Sequence, residues 1–154
     1  MDEFKVNIVE LPALRVAAAL GFGEGPEGLS QQKLIDWARA LGLMEDGQEH
    51  RFFGFNNPSP TPGSANYGYE MWMTVGPQVQ GSGEVSIKEF PGGLYAVTRV
   101  VNVENTPGAW TRLVGWLENS PYRAGRHQWL EEHIQFLGLH YTEYVIDLYL
   151  PVVR

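Results

Sequence analysis

The chain has 154 residues, 44% hydrophobic and 12% aromatic, which fits one well-packed domain and is short for two independent ones. Eighteen acidic residues against eleven basic ones give a formal net charge of -7, a field that repels phosphate backbones and anionic headgroups, so neither nucleic acid nor membrane is expected as a direct partner. With no cysteine the chain has no disulfides, thiolate metal sites or cysteine nucleophiles, which fits a reducing cytoplasm as its expected location.

MDEFKVNIVELP has acidic residues where an export signal needs basic ones, and the apolar run ALRVAAALGF is too short and interrupted to span a membrane. Val6 to Ile8 and then Leu14 to Leu20 have the period and β-branched content of strand, with Pro12 at a break or bulge between them. Ser30 is a good N-cap for QQKLIDWARALGL, where Leu34, Trp37, Ala38 and Leu41 form one helical stripe and Gly42 is the stop. Two strands follow, in RFFGF and NYGYEMWMTV. Between them NNPSPTPGSA, with three prolines and a glycine, is a loop, and VGPQVQGSGE (75 to 84) links the two halves of the chain.

The second half repeats this order. When the chain is laid on itself so that Val6 meets Val85, VNIVELPALRVA falls on VSIKEFPGGLYA without a gap, and the register continues through Leu34 over Leu113 and Trp37 over Trp116. Thr106 can cap a helix whose first turn holds Pro107 and whose stripe is Trp110, Leu113, Val114 and Leu117. WLEEHIQF and YTEYVIDLYLPV read as the closing strands. The pattern predicts a single α+β domain over residues 1–154, made of duplicated β-α-β-β units (about 5–77 and 84–153) around a pseudo-twofold axis.

Motifs for other chemistries are weak. GEGPEG (23 to 28) fits G-x-G-x-x-G between strand and helix, but Pro26 removes a backbone donor and Glu24 and Glu27 repel pyrophosphate, so a flexible acidic loop is the better description. His50, His127, His133 and His140 lack the spacing that puts two ligands on one helical face, and no G-x-S-x-G stretch is present. No metal and no cofactor are expected. Any catalysis would fall to a carboxylate.

VELPALRVAA, KEFPGGLYAV, AWTRLVGWLENSPY, LEEHI and the closing DLYLPV, in this order, resemble the GyrI-like small-molecule-binding domain, also known as the effector-binding domain of multidrug-sensing transcription regulators. The resemblance covers about Val6 to Val153. It implies one antiparallel sheet of about eight strands, two long helices packed on it, and a central cleft for organic ligands, often cationic and aromatic. By the match at Leu130-Glu131-Glu132-His133, Glu131 is the carboxylate that projects into the cleft and Glu132 the solvated one, with His133 replacing the usual tyrosine. The bland alternative is that Glu131 is a solvated charge at a sheet edge.

Tyr69, Trp72, Tyr95, Trp110 and Tyr149 lie near elements that converge on the cleft in the implied fold, where rings would sandwich a planar ligand and offer cation-π contacts. Tyr69 and Trp72, three residues apart on a strand, cannot share one face. Trp37 and Trp116 are assigned to packing. Two function classes remain: a binding module for amphipathic, aromatic or cationic small molecules, or a hydrolase of strained cyclopropane-containing toxins with Glu131 as general base. The repeat occupies the chain from about residue 6, so a transcriptional role is expected to act through a separate DNA-binding partner.

Overall fold

The computed structural model describes residues 4–45 and 47–154. Nine strands and two helices form an α+β fold in which every described strand pairing is antiparallel. The strands are β1 (Asn7–Leu11), β2 (Leu14–Gly23), β3 (Phe52–Asn56), β4 (Tyr67–Thr74), β5 (Val85–Phe90), β6 (Gly93–Val101), β7 (Arg123–Ala124), β8 (Leu130–Gln135) and β9 (Val145–Val153). The helices are α1 (Glu27–Ala40) and α2 (Thr106–Glu118). Among the described residues no helix is long and apolar enough to cross a membrane.

The chain divides into two compact units that do not coincide with its sequence halves: Leu14–Phe90 is one, and residues up to Ala13 together with Pro91–Arg154 are the other. The first strand of each half has moved into the other unit. Thus β1 pairs with β6, and β5 pairs with β2. Pro12 and Pro91 stand beside the two crossings, where a residue without an N–H interrupts the ladder at no cost to pairing.

In the Leu14–Phe90 unit the strands run β5-β2-β4-β3, and α1 covers one face. Directly opposed residues share a face, so the registers Ala17↔Met73, Ala19↔Met71 and Gly21↔Tyr69 place this set on one side. That side receives Ser30, Leu34, Ile35 and Ala38, the buried residues of α1. The helix begins at Glu27, before the expected Ser30 cap. Ser30 is instead buried within it and donates its hydroxyl to the Glu27 carbonyl at 3.0 Å. With the earlier start the buried stripe shifts: Leu41, past the last helical residue, is exposed, and half-buried Trp37 donates its indole N–H to Ser82 Oγ at 3.0 Å.

Close approach between α1 and β2 requires glycine. A Cβ at Gly21 would sit 2.7 Å from the Pro26 carbonyl oxygen and 2.8 Å from the Ser30 amide nitrogen, both backbone atoms that cannot yield without moving the helix. A Cβ at Gly54 would overlap the Tyr69 ring, which fills the space above that glycine.

In the other unit the strands run β1-β6-β9-β8, with β7 also paired to β9. Ala96, Val100, Ile146, Leu148, Leu150 and Val152 form a buried cluster with Leu113 of α2, and Ala109, Trp110, Trp116 and Leu117 pack against it. Thr106 is the first residue of α2 and not its cap. A 3-10 turn at Val103–Asn105 precedes it, and there the Asn102 side chain accepts from the Glu104 amide at 3.1 Å. Val114 lies outside the buried stripe and is exposed, while Trp116 stacks on Tyr122 with ring centroids 6.3 Å apart.

His133, opposite Ile146 on β8, is on the α2 side of this sheet and meets Phe136 edge-on at 5.5 Å. Burial pushes its pKa down to about 4, against a weaker upward pull from Glu132. The imidazole is therefore neutral at pH 7.

This packing has two measurable consequences. Gly21→Ala should destabilise the protein by about 1–3 kcal/mol, read from urea unfolding midpoints, whereas Gly28→Ala, where a Cβ meets nothing within 4 Å, should not. The unfolded His133 takes up its proton near pH 6.5 and the folded one near pH 4, so stability is lost as pH falls through that window, by roughly 1.4 kcal/mol at most for each pH unit crossed. His133→Phe should lose less between pH 7 and pH 4.5 than the unaltered protein, and an identical loss in both would reject the assignment.

Candidate functional site

Strand β8 decides the geometry of the acidic pair. Its register against β9 sets Leu130 opposite Tyr149, Glu131 opposite Leu148 and Glu132 opposite Asp147. Because Leu148 belongs to the cluster under α2, Glu131 is on the helix-covered face and Glu132 on the other. The sequence expectation that Glu132 is the solvated carboxylate does not hold: Glu132 is 7% exposed, and Glu131 is only partly buried.

The two carboxylates have different company. Trp110 of α2 donates its indole N–H to Glu131 Oε2 at 3.0 Å, and its ring lies 5.3 Å from that of half-exposed Trp129. On the opposite face the Tyr149 hydroxyl donates to Glu132 Oε1 at 2.6 Å, a short charge-assisted bond. Tyr95 meets Tyr149 edge-on at 5.3 Å, consistent with the Tyr95↔Pro151 and Val97↔Tyr149 registers that put both phenols on this side.

Tyr95 is fully buried and donates its hydroxyl to the Gln128 carbonyl. Burial pushes its pKa above the ordinary phenol value, so it stays protonated. His127 lies edge-on to Tyr95 at 4.8 Å, and its Nε2 is 2.7 Å from the Leu94 carbonyl oxygen. Leu130 and Val97 complete a mixed apolar and phenolic lining. Nearby, Arg99 forms a two-pronged ion pair with Asp147 at 2.8 and 3.0 Å, which holds the guanidinium pKa above its usual value. Its chief partner is Asp147, and the charge of Glu132 adds to the same upward pull.

Of the expected site residues, the structure thus groups Tyr95 with Tyr149, and Glu131 with Trp110, on opposite faces of one sheet. Tyr69 and Trp72, as their spacing requires, also part. Tyr69 is 2% exposed in the core beside α1, whereas Trp72 is on the helix-free face of the Leu14–Phe90 unit. There Trp72 meets Phe55 edge-on at 5.1 Å and Phe90 at 5.2 Å, and its indole N–H donates to Glu70. Sequence reasoning missed Glu132, His127 and Glu70. A signal for Glu132 was present: with Leu148 and Leu150 directed at the helix, Tyr149 must point away, and the β8 residues that accompany it are Leu130 and Glu132.

Comparison with known proteins bears on what such a site serves. A family model described as integron-associated effector binding protein matches residues 7–152. No curated protein matches the chain. Among solved structures, the C-terminal domain of EcmrR aligns with a TM-score of 0.74 at 15% identity, covering 98% of each chain. In the EcmrR–DNA complex the same likeness, again 0.74 at 15% identity, takes in 97% of this chain but 57% of EcmrR. A hydrolase from Listeria innocua gives 0.72 at 11% identity over 97% of this chain and 92% of that one. SAV2435, solved bound to tetraphenylphosphonium, gives 0.59 at 12% identity over 99% and 94%. At these identities the structures establish a shared fold, while the family match spans nearly every described strand and both helices: this chain belongs to the integron-associated effector binding proteins, of the GyrI-like effector-binding type that its sequence resembles.

Proposed function

We propose that the protein binds hydrophobic organic cations, with Glu132 as the charge that selects them and the buried phenols Tyr149 and Tyr95 as the aromatic groups beside it. The observation that carries this reading is the Glu132–Tyr149 pair, a carboxylate 7% exposed on the sheet face that α2 does not cover. A carboxylate taken out of water loses most of its hydration, and a cation arriving beside it restores that loss, whereas a neutral molecule of the same shape does not. The phenol fixes one carboxylate oxygen and adds a ring face that attracts cations. SAV2435, which shares the fold, was solved with a cation of this class, and that supports the choice.

The proposed set keeps Tyr95 and Tyr149 from the sequence reading and replaces Glu131 by Glu132. Glu131 is on the face that α2 covers and accepts from Trp110 of that helix, Tyr69 lies in the core beside α1, and Trp72 donates to a different carboxylate, Glu70. EcmrR, whose structure was solved on DNA, supports a further reading in which binding by this chain is coupled to a DNA-binding partner.

Tetraphenylphosphonium titrated against the protein tests the assignment. Glu132→Gln should weaken binding about tenfold or more, as expected for loss of a desolvated charge contact, and Glu131→Gln by less than about threefold. Tyr149→Phe should fall between them, because the ring remains while the hydrogen bond that orients Glu132 is lost. The reverse order for the two glutamates would return the role to Glu131, and equal affinities for all four proteins would remove both.

A further inference from the structure

The Leu14–Phe90 unit holds a second buried carboxylate. Glu70 of β4 is 3% exposed on the face of its sheet opposite α1. Three donors converge on it: Asn57 Nδ2 on Oε1 at 3.0 Å, and Trp72 Nε1 and Lys88 Nζ on Oε2, both at 2.7 Å. Burial by itself would push the Glu70 pKa up, but the bonds from Lys88, Trp72 and Asn57 and the charge of Lys88 outweigh it and hold the carboxyl below its ordinary value.

The three donors are not equivalent. Asn57 and Trp72 are neutral, so Lys88 alone among them supplies charge. Lys88 also comes from the strand at the end of this unit's sheet and remains 47% exposed along its side chain, against 4% for Glu70. The registers show how it reaches. Lys88 is opposite Val16 and Glu70 opposite Leu20, so the lysine spans the row in which Ala18 faces Ser86 on one side and Trp72 on the other. Ala18 and Ser86 are the small side chains of that row, and on the same face Trp72 meets the rings of Phe55 and Phe90. On the same face Leu20 and Phe22 are exposed at 45% and 58%.

A buried carboxylate pre-bound by two neutral donors, beside aromatic rings and already meeting one ammonium at the end of an alkyl chain, is a receptor for a linear primary ammonium. We propose that Glu70, Trp72 and Asn57 form a second ammonium site, distinct from that at Glu132, whose resident ligand is the chain's own Lys88, and that an alkylammonium takes this position whenever Lys88 is absent or displaced. Tethering gives Lys88 a high effective concentration at the site, so it sets a threshold that any free amine must exceed. The lysine is a built-in competitor.

The test uses the full chain and n-butylammonium, which reproduces the four carbons and the ammonium of a whole lysine side chain. Lys88→Ala should gain thermal stability from n-butylammonium chloride beyond that given by matched sodium chloride or n-butanol, and its apparent affinity should exceed that of the unaltered protein by at least about tenfold. Lys88→Ala combined with Glu70→Gln should lose the gain. Glu132→Gln should keep it, so that failure of the Glu132 reading and failure of this one are told apart. Should Lys88→Ala not fold, the unaltered protein carries the test through the indole N–H resonance of Trp72: a saturable displacement of that resonance at high n-butylammonium, abolished by Glu70→Gln, supports the site. Equal responses to amine, salt and alcohol, or a resonance that does not move, would overturn it.

Discussion

In each of the two units the strands are covered by a helix on one face, and the strict alternation of side chains along a strand makes that cover decisive for every residue. Under α2 the strands present Ala96, Val100, Ile146, Leu148, Leu150 and Val152; under α1 they present Ala17, Ala19, Gly21, Met71 and Met73. Apolar area removed from water in this way contributes on the order of 25 cal/mol per Å² and fixes the register, because a slip by one residue would turn the whole set away from the helix. What remains for function is the alternate set of positions. The phenols and the carboxylates of Glu132 and Glu70 belong to it for that reason.

Burying a carboxylate requires compensation, and the molecule uses two different solutions. Glu132 accepts a short hydrogen bond from the Tyr149 phenol and is close enough to Arg99 for its charge to help raise that guanidinium's pKa. Glu70 has two neutral donors and an ammonium, so its charge is already balanced within the chain. Glu131, on the helix-covered face and only partly buried, accepts from the indole of Trp110. A buried ion pair stabilises little in net terms once desolvation is subtracted, so the Lys88–Glu70 contact is better understood through what it excludes from Glu70 than through stability.

The crossing of the first strands gives the fold its dependence on the whole chain. Neither half of the sequence can complete its own sheet, since β1 is an end strand for the unit of the second half and β5 for that of the first. Such pairings are remote in sequence and carry a loop-closure cost that only burial of the strand faces beneath both helices offsets. The pattern of local elements is silent on this exchange. A strand that pairs within its own half and one that pairs outside it have the same alternation and the same β-branched content.

By itself the sequence determined most element types and their order, because periods of two and of 3.6, glycine and proline at breaks, and the repeated words around Pro12 and Pro91 are local properties of the chain; it did not show the short strand β7 or the 3-10 turns, and Tyr141–Glu143, read as the start of the last strand, is one of those turns. It also determined that Tyr69 and Trp72 part company, a consequence of strand geometry alone. The starts of both helices were displaced because tertiary packing outweighed capping preference: α1 sits so close over Gly21 that Ser30 is drawn into the contact, and a 3-10 turn takes the place of a cap before Thr106. Which of Glu131 and Glu132 faces the helix was left to the tertiary structure. Adjacent residues on a strand always diverge, but the direction each takes depends on register against β9, and register is set by burial of Leu148 and Leu150, residues distant in the chain. The Glu70–Lys88 pair was hidden for the same reason, since it joins two strands through a third, and only the assembled sheet brings an acid and a base with no sequence relation within 2.7 Å.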